Sequence, residues 1–235
     1  MIVAATISLL VIMFFSIVGG IVYWVIFSQK RGRAEKQELT LHLGFRPAED
    51  ADGALAARIV GLHGRGLQQK LAVRNLAVRQ EAHGDVYLFD LEDSARTSTD
   101  PLEQNGVAVV SSRLSLPRFS VFPKAPGTGR LAGFANRVLR RFALGDRQSI
   151  AVPGNPRFDQ QYVLAGDHPE DVLQVITGDV LDAIAQKLYR QIEAGGNMFT
   201  YERIILDLSA SESKEIEAQE RVSEALELFR LLRRP

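Results

Sequence analysis

From Ile2 to Phe27 the chain carries no charged side chain, and Lys30, Arg31, Arg33 and Lys36 follow almost at once. A bilayer core of about 30 Å is crossed by about 20 apolar residues in helical form. The run is long enough to span with some to spare. A cleavable signal would place positive charge first, then about 7–15 apolar residues and a small-x-small site. No Lys or Arg precedes this run, and FSQKRG offers no such site. The sequence therefore predicts a retained single transmembrane helix over residues 1–29, a basic juxtamembrane linker over 30–52, and a further domain over 53–235.

Charge asymmetry sets the expected orientation. The cations lie on the C-terminal side of the run, and positive residues stay cytoplasmic. The N-terminus is expected outside a bacterial inner membrane and residues 30–235 in the cytoplasm. Tyr23 and Trp24, with Lys30, Arg31 and Arg33, form the expected membrane interface, since amphipathic rings favour the headgroup level. Ala4, Ser8, Ser16 and Gly20 fall on one helical face, where small residues allow a neighbouring helix to approach closely. That stripe points to a membrane protein complex or a homo-oligomer through the span. No His, Asp, Glu, Lys or Arg lies in the uncharged run, so it is expected to be an anchor or packing element and not a proton relay, ion path or holder of a haem-like pigment.

Beyond the span, Lys plus Arg equals Asp plus Glu over the whole chain, and cysteine is absent. Disulfides, thiolate nucleophiles and Cys-based metal sites are thereby excluded. Residues 30–43 read as a helix ended by Gly44. LAARIVGLH reads as a short amphipathic helix, and KLAVRNLAVRQEA with GDVYLFDLED as a hairpin turning at His83-Gly84. GVAVVSSRLSL reads as a third strand, followed by FSVF, SIAV and QYVLAG. Asp167-x-x-Glu170 predicts a capping box opening one helix that runs to about Lys187. LYRQIEA and NMFTYERIILDL form a second hairpin across Gly195-Gly196-Asn197. A last helix places Ile216, Val222, Ala225, Leu226, Phe229 and Leu232 on one face. Hairpins with helices between them predict an α+β domain with a mainly antiparallel sheet. The patterns leave open whether it divides into two halves near residue 145.

LSLPRFSVFPK (114–124) and NPRFDQQYVLAGDHPEDVLQVITGDVLDAI (155–184) resemble a group of uncharacterised bacterial membrane-anchored proteins. Leu116, Pro117, Phe119 and Pro123 match an LPxFxLxP strand. Pro156, Phe158, Tyr162, Leu164, Gly166 and Asp167 match a PxF…Y…GD element that opens a helix. The resemblance implies an architecture and a membrane location, and carries no assigned activity.

Tests for chemistry mostly fail. GTGRLAGFA (127–135) has the GxGxxA spacing of a dinucleotide turn, but Pro123 and Pro126 block the strand that should run into its first glycine. HGRGLQQK (63–70) lacks the GxxxxGK[ST] spacing of a phosphate loop. His42, His63, His83 and His168 are scattered, without the clustering a zinc site needs. There is no G-x-S-x-G elbow, and no cofactor or metal is expected. Arg130, Arg137, Arg140 and Arg141 sit on a predicted basic helix over 130–143. Next to anionic lipid each cation near the surface gains about 1 kcal/mol. Basic strands interleaved with aromatics, as RNA readers use, are absent, so nucleic acid is not expected. The leading expectation is a non-catalytic accessory or scaffold subunit of a membrane protein complex. A lipid-contacting or sensor domain using the basic helix is the alternative, and an enzyme on a membrane-proximal substrate is third.

Overall fold

The computed structural model describes residues 38, 40–50, 53–63, 71–93, 104–124, 144, 147–203 and 214–233. The chain separates into two compact units, Met1–Gly44 and Phe45–Pro235. In the first, the helical residues 40–42 end at Gly44, whose φ of 77° lets its N–H turn back to the Leu41 carbonyl at 2.9 Å. The expected transmembrane segment lies outside the described residues. Among the described residues no helix is long and apolar enough to cross a membrane.

The second unit is an α+β domain built on one antiparallel sheet. Its strands are β1 (Arg46–Pro47), β2 (Leu71–Glu81), β3 (Gly84–Asp93), β4 (Gln104–Val110), β5 (Leu116–Pro123), β6 (Gln148–Ile150), β7 (Tyr162–Gly166), β8 (Arg190–Gly196) and β9 (Met198–Arg203). They lie in the order β1-β2-β3-β4-β9-β8-β5-β7-β6. The C-terminal hairpin β8–β9 thus fits between the strands of residues 46–110 and those of residues 116–166. The sheet runs unbroken across residue 145, because a hairpin from the end of the chain joins the two sets. Both edges are short strands: β1 pairs with only Ala77 and Val78 of β2, and β6 with Leu164, Ala165 and Gly166 of β7.

Among the described residues five helices flank the sheet: α1 (Ala54–Leu62), α2 (Pro156–Gln161), α3 (Pro169–Val175), α4 (Gly178–Ala185) and α5 (Lys214–Leu232). Side chains alternate between the faces of a strand, so register assigns each residue a side. Met198 pairs with Val110 and Gly195, Thr200 with Ala108 and Glu193, and Glu202 with Gly106 and Gln191. These residues share the face covered by α1, where Ile59, Leu62, Phe89, Leu91, Ala108 and Met198 form one core cluster. Each of the larger buried side chains contributes roughly 1.5–3 kcal/mol. Phe199 and Tyr201 belong to the opposite face. There α5 buries Ala218, Val222, Ala225, Phe229 and Leu232 at alternating spacings of four and three.

Local chemistry explains several boundaries. Asp50 sets the start of α1: its carboxylate accepts from the N–H groups of Leu55 (3.1 Å) and Ala56 (2.9 Å). These amides have no partner inside the helix, and an acceptor there stabilises it. In β2 the register shifts between Arg74 and Ala77. Asn75 takes the left-handed conformation at this bulge, φ 50°, and its amide nitrogen donates to Asp90 at 2.6 Å. Gly106 is required by close approach, since an added Cβ would lie 2.4 Å from the Phe89 ring.

The structure revises six expectations. The first hairpin turns through Ala82 and His83, with Gly84 already paired to Glu81. The third strand stops at Val110, because Ser111 leaves the ladder to bond the Asn197 and His83 carbonyls, and β5 begins at Leu116. Before β7 lies the short helix α2, opened by Asn155, whose side chain accepts from Phe158 N–H at 2.9 Å with Pro156 at the first turn. The expected capping box does not form: the N-cap is His168, without a side-chain capping bond, and Pro169 follows. The single helix to Lys187 is two helices, broken where Thr177 becomes the N-cap of α4. In α5, Leu228 is buried and Leu226 only half-buried, while the side chain of Ile216 is outside the described residues.

Candidate functional site: a buried ionic joint

The densest polar chemistry in the described residues lies under the C-terminal end of α1. The last carbonyls of a helix carry partial negative charge and lack intrahelical donors. α1 has no basic residue in its own last turn. Three cationic side chains reach it instead. His63 Nδ1 lies 2.8 Å from the Ile59 carbonyl, Arg118 donates to Gly61 at 2.9 Å, and Arg147 donates to Leu62 at 2.5 Å.

Two of these cations also meet glutamates on the sheet. His63 Nε2 is 2.6 Å from Glu202 Oε1 on β9, and Arg147 Nη1 is 2.6 Å from Glu193 Oε2 on β8. Ser120 of β5 donates to the same Glu193 oxygen, and Gln191 donates to the other at 3.2 Å. The side chains are enclosed: residue exposure is 7% for His63, 4% for Arg147, 1% for Glu193 and 0% for Glu202. Charges so buried persist only when paired and hydrogen-bonded. β9 is the middle strand of the nine, so Glu202 has ladder partners on both sides, Gly106 and Gln191.

Electrostatics follow from this packing. Burial alone disfavours an imidazolium, but the Glu202 carboxylate outweighs it, helped by Glu193 and the Ile59 carbonyl, and raises His63 to about 9. Both ring nitrogens face acceptor oxygens, so the doubly protonated ring is the form that fits. Burial pushes the Glu193 carboxyl up to about 7, against the pull of His63, Arg147 and the Ser120 hydroxyl. The joint therefore ties α1, β5, β8, β9 and the start of β6 through two opposed charge pairs. Both carboxylates are buried within it.

A second ionic cluster clamps α5 to the opposite face. Arg190 grips Glu224 with two bonds, 2.8 and 3.1 Å, Tyr201 donates to it at 3.0 Å, and Lys187 stands 3.3 Å away. Burial opposes ionisation of Glu224, yet Arg190 above all holds its carboxyl below the usual range. Burial, with Glu224 beside it, pushes the Tyr201 phenol well up. A shallow cleft between α4 and α5 is lined by Ile184, Lys187, Tyr201, Glu224 and Leu228.

The residues singled out from sequence fall elsewhere. Tyr23, Trp24, Lys30, Arg31 and Arg33, the stripe Ala4, Ser8, Ser16 and Gly20, and the basic residues Arg130, Arg137, Arg140 and Arg141 all lie outside the described residues. Among the described residues, no group of three or more His, Asp or Glu is placed to hold a metal ion. His42 and His83 are exposed and His168 caps α3 through its backbone, whereas His63 is buried in the joint. The sequence reading passed over Glu193 and Glu202. The signal was there in part: in MFTYER the alternation that buries Met198 and Thr200 places Glu202 on the same face.

LPRFSVFP forms β5, and PRF through Gly166-Asp167 forms α2, β7 and the approach to α3. The sequence matches no family model and no curated protein. In fold it is similar to the crystal structure of the mycobacterial trehalose monomycolate transport factor A, TtfA, with a TM-score of 0.50. The two share 12% sequence identity over 85% of this chain and 95% of that one. At that identity the likeness is one of fold.

Proposed function

We propose that this chain is a membrane-anchored, non-catalytic accessory subunit of a bacterial membrane protein complex, of the kind that assists a transporter. The observation that carries the reading is the shared fold: the chain is similar to nearly the whole of a solved transport factor. The uncharged run from Ile2 to Phe27 with its cationic flank supports an anchor, N-terminus outside and the α+β unit in the cytoplasm. The joint beneath α1 supports it as well, since its ionic groups are spent on holding five elements in register. In this reading the stripe of Ala4, Ser8, Ser16 and Gly20 packs against a helix of the partner.

Gentle detergent extraction from native membranes, followed by native gels and cross-linking with mass spectrometry, tests the reading. A complex containing an integral membrane transporter is expected. A lone monomer under every extraction condition would overturn it. Protease added outside intact cells should leave the α+β unit whole; its digestion would reverse the proposed orientation.

A further inference from the structure

Three polar atoms of the joint have no hydrogen-bond partner among the described residues: Glu202 Oε2, Thr200 Oγ1 and Arg147 Nε. All three residues are at least nine-tenths buried. A buried polar atom left unpaired is costly, and native structures satisfy almost all of them with protein or ordered water. The three residues belong to one network, in which Glu202 pairs with His63 and Arg147 with Glu193. Thr200 and Glu202 lie on one face of β9, about 7 Å apart along the strand. Glu193, directly opposite Thr200 in β8, holds the guanidinium of Arg147 at 2.6 Å.

We propose that the joint encloses an ordered water molecule bound by Glu202 Oε2, Thr200 Oγ1 and Arg147 Nε. The demands of the three atoms select this ligand. The carboxylate oxygen needs a donor, the guanidinium N–H needs an acceptor, and the hydroxyl takes either role. A cation would satisfy Glu202 and repel Arg147; an anion would do the reverse. Water donates twice and accepts twice, and three protein partners is the usual number for a buried one. Opposite Thr200 on β4 stands the small side chain of Ala108; opposite Glu202 stands Gly106, over which the Phe89 ring packs. The water thereby gives Glu202 a second donor besides His63, and links the Glu202–His63 pair to the Glu193–Arg147 pair.

Crystals of the full chain in detergent, at a resolution that shows ordered solvent, test this directly. A density peak is expected within about 3.2 Å of both Glu202 Oε2 and Thr200 Oγ1. Thr200→Val, which keeps the branched shape and removes the hydroxyl, should lose the peak, and Thr200→Ser should keep it. Oxygen-17 relaxation dispersion on the same proteins in solution counts long-lived internal waters, and Thr200→Val should show one fewer than the parent. An empty site in the parent crystals, or equal counts for parent and Thr200→Val, would overturn the proposal.

Discussion

His63 Nε2 and Glu202 Oε1 stand 2.6 Å apart, although 139 positions separate them in the chain. One follows the last residue of α1 and the other lies on the middle strand of the sheet, so their pairing fastens helix to sheet in the interior of the domain. A buried pair of this kind is weak as a source of net stability, because desolvation offsets attraction. Breaking it is another matter, since the remaining charge stays buried and alone.

Glu202→Ala and His63→Ala are each expected to destabilise the domain by about 3–5 kcal/mol. The double variant should lose clearly less than the sum, because its second substitution removes a charge already orphaned. Denaturant unfolding of all three proteins checks this. Additive losses would mean that the two side chains do not act as a pair.

Stability should fall as pH rises, in two overlapping steps. His63 is raised from 6.5 to about 9, so its contribution is complete below 6.5 and disappears as pH climbs through 9. The shift corresponds to about 3 kcal/mol. Glu193 is raised from 4.5 to about 7 and acts in the same sense over a lower window: the folded state gains from keeping the proton, and that gain fades between 4.5 and 7. Melting temperatures from pH 5 to 10 should decline, and His63→Gln should flatten the upper step. An imidazole signal of His63 that titrates near 6.5 would contradict the assignment.

Gly106→Ala is expected to cost about 1–3 kcal/mol, the usual range for overpacking a filled core. The new methyl would meet the Phe89 ring at 2.4 Å, and that ring is buried in the core cluster with Ile59, Leu62 and Met198. Pairing it with Phe89→Leu, which vacates that volume, should recover part of the loss. Thermal denaturation of the two single variants and the double gives the comparison.

Glu224→Ala should loosen α5 more than it weakens the rest of the domain. Arg190, Tyr201 and Lys187 all converge on this one carboxylate. Its half-buried position puts the expected loss at about 2 kcal/mol, below that of a fully enclosed pair. Hydrogen exchange should rise first in residues 214–232, leaving β8 and β9 protected. Uniform loss of protection across the sheet would show that α5 is not held by this contact.

The sequence by itself determined the elements and the class. The stripe of α5, the alternation in β2, β3, β8 and β9, and Gly196 at the last turn are written in local periodicity, which depends only on neighbours along the chain. The same local terms account for the uncharged run at the N-terminus. Some failures were local too. Asn155, Pro169 and Thr177 all interrupt a pattern that reads as continuous when apolar spacing alone is followed, because cap and proline chemistry overrides period.

What only the tertiary structure decided is where the elements sit and what they bring together. Nothing in residues 190–203 states that their hairpin lies between β4 and β5, because strand order is set by which faces can be buried at once. The joint depends on that order. His63 reads as one histidine among four, Arg147 as one arginine among many, and Glu193 and Glu202 as charges on strands. They become a single unit when β9 is placed at the centre of the sheet and α1 is laid over it. Burial then makes each charge require the others, and that requirement is a property of distance in space, which local sequence does not encode.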